Sequence, residues 1–534
     1  MGTRNGETTR QHIGLALGLV LFVFFLAFLP IRSEDADTTA KLNRMAAVAL
    51  LMAVWWITQA IPIPATALLP LALFPLLGLM DSKTLAPIYV NDNIFLFIGG
   101  FLIAIAIERW RLARRIALTI VLAFGSSPRG LILGFMVATA FLSMWISNTA
   151  TTMMMFPIGL SVILLARELG RENAADNAAG NAATTAAPAS LGAFPAALML
   201  SIAYAANIGG IATKIGTPPN VFFFEFFEQQ FPHAPQPTFT DWMMLGLPFA
   251  VVFLVVSWLV LTRLAFRLKK LSLGTGRSFI RDELRKMGPM KAAEWQVLVV
   301  FAVTALLWIT RGQIKEIGFP GWVHGLGLVQ QLGDKTIELV RDGGVSIMMA
   351  LTLFLLPSRQ KRGERLLDAN SFQKVPWGIV LLFGGGFALA KGMQESGLSA
   401  WLGGQLEVLG GVWPPGIVAS VSGLLTFLTE LTSNTATTNM VLPILKGVSI
   451  GGNIHPLLLM IPATISASCA FMLPVATPPN AIVFGSGHIP LGKMIKTGLI
   501  LNFIGIVLVT LTILTLGTLI FNISGGMPQG WLTP

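Results

Sequence analysis

Cysteine is nearly absent from this chain of 534 residues, since Cys469 is the only one. An internal disulfide and a cysteine-rich metal site are therefore excluded. Charge is scarce as well: 11% of the residues are charged and 54% are apolar, with a mean hydropathy of +0.73. A soluble domain carries about 25% charged residues. The composition therefore predicts a chain that lies mostly in lipid.

Histidine is also rare and scattered, and none of the five histidines forms a His-Glu-x-x-His metal motif. We find no nucleophile with a matching base, so an intramembrane protease or other hydrolase is disfavoured and the chain is predicted not to be an enzyme. No cofactor is indicated by any motif.

The formal charge of +11 does not indicate a nucleic-acid partner, because the basic residues form short clusters between apolar runs. Such clusters are topology signals, and the positive-inside bias places them in the cytoplasm. They lie at residues 109–115, 263–291, 358–365 and 493–496.

About eleven membrane spans fit the apolar runs, most of them near the length that crosses a hydrocarbon core and two of them longer because they are interrupted. The predicted spans are 12–30, 46–61, 63–80, 93–108, 193–231, 242–266, 295–310, 343–357, 376–393, 454–489 and 499–521. Two further apolar segments, 120–168 and 412–445, are predicted to return to their starting side as re-entrant hairpins. A polar stretch at 173–190 is predicted to be a flexible cytoplasmic loop. The N-terminus is then cytoplasmic and the C-terminus external.

An internal repeat is the strongest signal of organisation. The letters Ser-Asn-Thr-Ala-Thr-Thr stand at residues 147–152 and again at 433–438, and Thr-Pro-Pro-Asn stands at 217–220 and again at 477–480. An odd number of spans per copy inverts the second copy relative to the first. The predicted fold is therefore an all-α polytopic membrane protein built from two inverted repeats, an architecture typical of secondary transporters.

The domain boundaries follow from this repeat. Residues 1–45 are predicted to be an N-terminal helix and an external loop. Residues 46–294 are the first repeat, with its hairpin at 120–168 and its broken helix at 193–231. Residues 295–534 are the second repeat, with its hairpin at 412–445 and its broken helix at 454–489.

Each repeat places polar groups where lipid would not tolerate them unless they line a cavity. Ser, Asn and Thr at a hairpin tip can donate hydrogen bonds to a carboxylate or accept and coordinate otherwise. The two prolines of each Thr-Pro-Pro-Asn motif lack an N–H, so the carbonyls four residues earlier are free to bind a cation. A lone Ser-Asn-Thr or a lone proline kink is more often structural, but both elements recur together and in the same order.

At residues 467–483 the chain resembles the signature of the divalent anion sodium symporter family, whose members carry succinate, malate, fumarate, citrate or, in some branches, sulfate. The resemblance covers nearly the whole chain. It implies an inner-membrane homodimer, surrounded by lipid, whose transport domains move like elevators against a scaffold. It also implies a dicarboxylate anion and sodium as the partners that the protein carries.

Carried over by position, the resemblance implies two sodium sites and one substrate site. The first sodium site would use Ser143, Ser147, Asn148 and the Gly216 backbone, and the second Thr429, Thr432, Asn434 and the Ala476 backbone. Thr432 replaces a small residue, which is harmless if its carbonyl alone takes part. Substrate contacts would come from Asn148, Thr149, Thr217, Ser433, Asn434, Thr435, Thr477 and Pro478.

The function predicted is sodium-coupled symport of a C4-dicarboxylate. Sulfate or citrate carriage with sodium, and dicarboxylate exchange without sodium, stay open as alternatives within transport, and an ion channel is a more distant one. Four charged residues lie near predicted span ends or breaks, and a side chain that reaches water along its stem is the simpler explanation for most of them: Glu225, Glu228, Lys391 and Glu430. Lys214 has two interpretations: its ammonium could attract the anion and repel sodium, or it could simply extend into the aqueous cavity, and the second is favoured.

Overall fold

The fold is almost entirely helical, as the composition predicts. A computed structural model describes residues 2–28, 30–32, 35–90, 92–124, 127–180, 193–268, 276–313, 318–332, 335–405, 413–523, 526–528 and 530–531. All structural statements below concern these residues.

Thirteen helices make up the described part of the first half. They are α1 Gly2–Phe28, α2 Ala36–Thr58, α3 Ile63–Thr66, α4 Leu69–Leu76, α5 Ser82–Leu85, α6 Asp92–Arg109, α7 Leu112–Ala123, α8 Pro128–Ser143, α9 Asn148–Gly180, α10 Phe194–Ile211, α11 Pro218–Gln230, α12 Phe239–Leu259 and α13 Gly276–Lys286. A 3-10 turn, Ala86–Tyr89, follows α5, and a π-helical segment, Val260–Ala265, continues α12.

The described part of the second half has eleven helices and one small hairpin of strands. The helices are α14 Ala292–Ile309, α15 Trp322–Gly325, α16 Asp342–Leu355, α17 Trp377–Glu395, α18 Leu398–Gln405, α19 Pro414–Thr429, α20 Asn434–Gly451, α21 Pro456–Ala467, α22 Pro478–Phe484, α23 Leu491–Thr512 and α24 Thr518–Ile520. The strands β1 Val329–Leu332 and β2 Lys335–Glu338 pair antiparallel. A 3-10 turn, Ala369–Lys374, precedes α17, and a π-helical segment, Ile513–Gly517, follows α23.

Eight helical segments among the described residues are long and apolar enough to cross a membrane, and they include α1, α2, α6, α9, α10, α12, α14 and α23. Five shorter apolar segments add to these: α3 with α4, α8, α16, α19 and α21. On α23, Phe503, Val507 and Leu511 are exposed one turn apart and form an apolar stripe suited to lipid. The predicted all-α polytopic membrane fold is confirmed.

The repeated motifs stand at junctions between helices. The first hairpin joins α8 to α9 and the second joins α19 to α20, and each tip is a few non-helical residues. The first helix break separates α10 from α11, and the second separates α21 from α22. Pro218 and Pro478 each begin the helix after a break, a position where the missing N–H costs nothing.

The two halves interlock in a crosswise pattern. Within each half, the first arm of the hairpin packs on the first part of the broken helix, α8 on α10 and α19 on α21. Between halves, α9 packs against α22 and α20 packs against α11. Both tips are thereby brought next to both breaks.

Gly209 permits the closest of these helix contacts. A Cβ built at this residue would lie 2.3 Å from the carbonyl oxygen of Ala140 on α8, so only glycine fits here. Close backbone approach through small residues is a common way for helices to pack in membranes.

Several boundaries differ from the sequence prediction. The second span begins at Ala36 and not at residue 46, so the predicted external loop is shorter and the first domain boundary falls inside α2. The boundary at residue 294 falls inside α14. The predicted span 63–80 is two short helices, α3 and α4.

The predicted hairpins and polar loop are also revised. The first hairpin begins at Pro128, after the separate helix α7, and the arm α20 of the second continues to Gly451. The predicted flexible loop at 173–190 is wrong in its first part, because α9 continues as a helix to Gly180. Residues 181–190 of that prediction lie outside the described residues.

Segments predicted to be cytoplasmic meet one another through ion pairs. Arg114 pairs with Glu283 at 2.7 Å and Arg115 with Glu294 at 2.6 Å, which joins α7 to α13 and α14. The side-chain hydrogen bond from Lys286, and then the charge of Arg114, hold the pKa of the Glu283 carboxyl below its ordinary value. Two of the basic clusters, at residues 109–115 and 263–291, therefore lie side by side.

Candidate functional site

One cavity of about 1230 Å³ brings both tips and both breaks together. All eight predicted substrate contacts line it: Asn148, Thr149, Thr217, Ser433, Asn434, Thr435, Thr477 and Pro478. Five of the eight predicted sodium ligands line it, namely Asn148 and Asn434 again together with Ser147, Thr432 and Ala476. Its volume exceeds the roughly 300–1,000 Å³ of a typical ligand pocket, as expected of a cavity that joins a binding site to an access route.

The first tip carries a group of three oxygen atoms. The hydroxyl oxygen of Ser143 lies 2.7 Å from the amide oxygen of Asn148 and 2.7 Å from the carbonyl oxygen of Ala206. One hydroxyl proton cannot serve both acceptors fully. A cluster of oxygens short of protons is suited to a hard cation, which prefers oxygen ligands.

The second tip repeats this arrangement. The hydroxyl oxygen of Thr429 lies 2.8 Å from the amide oxygen of Asn434 and 2.8 Å from the carbonyl oxygen of Ala467. Ser143 and Thr429 are both fully buried behind the cavity wall. Each half thus holds one such group, which we call the oxygen triad: Ser143, Asn148 and Ala206 in the first half, and Thr429, Asn434 and Ala467 in the second.

Gly216 lies close to the first oxygen triad because the residue between them in space, Gly210, has no side chain. A Cβ built at Gly210 would lie 2.5 Å from the Asn148 amide oxygen and 3.1 Å from the Gly216 carbonyl oxygen. A Cβ built at Gly216 would in turn lie 2.4 Å from the carbonyl oxygen of Gly210. The structure therefore brings the predicted backbone ligand Gly216 close to Asn148, and both glycines are needed for that approach.

The side chain of Thr432 makes hydrogen bonds within the second hairpin. Its hydroxyl donates to the Leu428 carbonyl at 2.9 Å and also contacts the Thr437 hydroxyl. The Thr432 hydroxyl is thus hydrogen-bonded within the hairpin itself.

Helix N-termini face the cavity at both tips. α9 begins at Asn148 and α20 begins at Asn434, and these residues line the cavity. Ser433 precedes α20 and makes no side-chain cap. At the first tip the Ser147 hydroxyl accepts from the backbone N–H of Ala150 at 3.3 Å. The N–H groups of each first turn that stay uncapped, together with the positive end of the helix dipole, favour a bound anion.

The asparagine of each Thr-Pro-Pro-Asn motif ties its break together, a role that the sequence argument did not assign. The Asn220 amide nitrogen donates to the carbonyls of Gly210, Ile211 and Thr213 at 3.3, 3.2 and 2.7 Å. Its counterpart Asn480 donates to two carbonyls of the second break at 3.1 Å each. The signal for this role that the sequence offered was the asparagine at the last position of both motifs.

Glu430 is buried, so it is not one of the charged residues that reach water along their stems. Its carboxylate accepts from the backbone N–H groups of Phe471, Met472 and Leu473 at 2.7, 2.9 and 3.0 Å, and from the Asn502 side chain at 2.8 Å. Four donors around one carboxylate replace its hydration, since a buried charge must be paired or hydrogen-bonded. Glu430 therefore fixes the backbone of the second break.

Lys214 does not extend into the cavity, so the favoured interpretation is wrong. It is 6% exposed, and its ammonium lies 3.0 Å from Asp342 and 4.4 Å from the centre of the Phe224 ring. The other oxygen of Asp342 accepts from Arg311 at 2.5 Å. The positive charge of Lys214 is neutralised inside the protein, at the start of α16.

The mouth of the cavity is charged, unlike its interior. The charged residues among the lining are Glu108, Arg111, Arg114 and Lys374, which lie around the end of α6, the start of α7 and the turn before α17. Two of them, Arg111 and Arg114, belong to the basic cluster at residues 109–115. Around the tips and breaks, the described lining residues are uncharged.

No group of three or more His, Cys, Asp or Glu side chains that could hold a metal ion occurs among the described residues. Oxygen atoms of hydroxyls, amides and the backbone are the ligands that this site offers.

Comparison with known proteins gives matches along nearly the whole chain. The family of the sodium:sulfate symporter transmembrane region matches residues 10–523. The sodium-dependent dicarboxylate transporter SdcS of Staphylococcus saprophyticus is 43% identical over 505 residues, which cover 94% of this chain and 91% of that protein. SdcS of Staphylococcus aureus is 42% identical over 522 residues, covering 98% of this chain and 94% of the relative.

Among solved structures, MtrF of Neisseria gonorrhoeae, from a class of antimetabolite efflux pumps, aligns with a TM-score of 0.57. The alignment covers 96% of this chain and 97% of that chain at 12% sequence identity. At this identity the likeness concerns the fold alone.

Proposed function

This chain belongs to the sodium:sulfate symporter family, and we propose that it carries a C4-dicarboxylate such as succinate, malate or fumarate together with sodium ions. The family resemblance expected from the sequence is confirmed, and so is the prediction of a transporter and not an enzyme. One observation carries the proposal: two buried oxygen triads, each beside a helix N-terminus, face a single cavity.

The coupling to sodium follows from charge. A dianion in the cavity would meet hydroxyls, amides and helix N-termini at the tips, while the lysine and arginine side chains of the described lining stand at the mouth. Helix ends contribute only about half an elementary charge each. Sodium ions in the two triads would supply the remaining positive charge, so neither ligand should bind well without the other.

Individual residues receive the following roles in this proposal. The first sodium ion is held by Ser143, Ser147, Asn148 and the Gly216 carbonyl, and the second by Thr429, Asn434 and the carbonyls of Thr432 and Ala476. The substrate carboxylates contact Asn148, Thr149, Thr217, Ser433, Asn434, Thr435, Thr477 and Pro478. Each tip asparagine thus touches an ion and the substrate.

Transport requires the site to reach both sides, and the packing suggests how. The cavity lies between the hairpins with their broken helices on one side and residues of α3, α6 and α17 on the other. We propose that the first group moves as a unit against the second, as in an elevator. The charged mouth then marks the cytoplasmic end, so this conformation faces inward, with the N-terminus cytoplasmic and the C-terminus external.

The division into two inverted repeats, the location in an inner membrane and the homodimer belong to the same proposal. They rest on the repeated motifs, on the positive-inside pattern of the basic clusters and on the family resemblance.

The test is uptake of radiolabelled succinate by proteoliposomes that contain the purified protein. An inward sodium gradient is compared with an equal choline gradient, and unlabelled malate, citrate, tartrate and sulfate are added as competitors. We expect uptake that depends on sodium and is competed most strongly by malate. Equal uptake in choline would identify an exchanger, and stronger competition by sulfate or citrate would identify a different substrate, so either result overturns the proposal.

A further inference from the structure

Asn207 joins the first half of the site to the second break. It lies in α10, lines the cavity and is 1% exposed. Its amide nitrogen donates to the Ala470 carbonyl at 3.3 Å and to the Thr477 hydroxyl at 3.2 Å. A carbonyl oxygen accepts only, so the amide nitrogen and not the amide oxygen must face Ala470. The orientation of the Asn207 amide is thereby determined.

This orientation decides what the Thr477 hydroxyl can do. The Thr477 oxygen also accepts from the backbone N–H of Asn480 at 3.3 Å. A hydroxyl has two acceptor lone pairs and one donor proton, and both lone pairs are now used. No acceptor for its proton occurs among the described residues, and Thr477 lines the cavity. The hydroxyl is left as a donor toward the cavity.

The first half lacks this arrangement. Thr217, the counterpart of Thr477, makes no side-chain cap. The position in the second half that matches Asn207 is Ala467, as the spacing to each Thr-Pro-Pro-Asn motif shows. Alanine offers no amide to occupy the Thr217 lone pairs, so that hydroxyl is free to donate or to accept.

We propose that Asn207 is a positioning residue that commits the Thr477 hydroxyl to donate to a carboxylate of the substrate. The inference rests on the proposed function and adds that the two ends of the substrate site differ in their hydrogen bonding. The end of the substrate at the second break must offer an acceptor, which an ionised carboxylate does with both of its oxygens. The end at the first break meets Thr217, which also tolerates a group that donates.

The test is a double-mutant cycle with Asn207→Ala and Thr477→Val, read as KM and maximal rate of succinate uptake at saturating sodium. A hydrogen bond to a charged group corresponds to roughly a tenfold or larger change in affinity. We expect Thr477→Val to raise KM about tenfold, and Asn207→Ala to raise it by a smaller factor with the maximal rate within about twofold. In the Thr477→Val background, Asn207→Ala should change KM by less than about twofold, because its partner is gone.

Two further variants separate positioning from structural effects. Thr477→Ser keeps the hydroxyl, so the effect of Asn207→Ala should persist in that background. Asn207→Asp places an acceptor beside Thr477 and should weaken succinate binding more than Asn207→Ala does, and this comparison decides the case if the alanine variant fails to fold. Additive effects in the cycle, or an Asn207→Asp variant with wild-type KM, would overturn the inference. Loss of sodium-dependent uptake in the wild type would instead refute the proposed function.

Discussion

The ion pair of Lys214 and Asp342 allows a prediction in which two substitutions at one contact have unequal effects. The side chains are 8% and 3% exposed, and Asp342 has a second cationic partner in Arg311. Removing Lys214 therefore leaves Asp342 paired. Removing Asp342 leaves the Lys214 ammonium against the Phe224 ring, with its one ion-pair partner among the described residues gone.

The magnitudes follow from these remaining contacts. Lys214→Met loses one charged hydrogen bond, which corresponds to about 1.5 to 3 kcal/mol. Asp342→Ala leaves a buried charge uncompensated, which costs about 3 to 5 kcal/mol. The double variant Lys214→Met with Asp342→Ala should be more stable than Asp342→Ala alone, because it removes the stranded ammonium.

The assay is thermal unfolding of the purified protein in detergent without sodium or substrate, followed by tryptophan fluorescence. We expect the midpoint to fall in the order wild type, Lys214→Met, Asp342→Ala. Apparent affinities of Lys214→Met for sodium and succinate should stay within about twofold of wild type, which is about 0.4 kcal/mol, because this charge is already neutralised. A Lys214→Met midpoint as low as that of Asp342→Ala, or a large rise in sodium affinity, would refute the reasoning.

Three other outcomes are expected. Asn148→Ala and Asn434→Ala should each nearly abolish uptake without unfolding, since each removes contacts to an ion and to the substrate; uptake above about half of wild type at saturating sodium contradicts a contact of roughly 1.5 to 3 kcal/mol. Glu430→Gln should lower the unfolding midpoint, because its amide cannot accept from all four donors, and an unchanged midpoint would exclude that role. With the native cysteine replaced by serine, a cysteine at Arg362 should react with impermeant reagents only from inside and one at Gln236 only from outside, and the reverse pattern would break the topology.

The repeated motifs made the site predictable from the sequence. Identical letters in both halves located the tips and the breaks, because proline removes an N–H wherever it stands and Ser-Asn-Thr supplies the same oxygens in each copy. Of the oxygen triads, only Asn148 and Asn434 belong to these repeated letters. Ser143 and Thr429 were implied by the family resemblance alone, and the carbonyls of Ala206 and Ala467 carry no signal in the letters.

Contacts between residues far apart in the sequence could not be predicted from the repeated motifs. Lys214 meets Asp342 and Glu430 meets the second break through packing that no local pattern encodes. Lys214 was therefore expected to extend into the aqueous cavity, and the contacts of Glu430 were not predicted. The early start of α2 was missed for a related reason. Asn43 lowers the local hydropathy, yet its side chain is buried and donates to the Ile31 carbonyl at 2.7 Å, which satisfies its polar group inside the protein.

The most direct test of the account is equilibrium binding of radiolabelled succinate to the purified protein, measured with sodium and with choline at equal ionic strength. Without a membrane, this measurement reports the coupling of the two ligands and not the flux. If the oxygen triads hold sodium beside the substrate, binding should require sodium and depend on its concentration more steeply than a single ion allows. Succinate binding of equal affinity in choline would contradict the account.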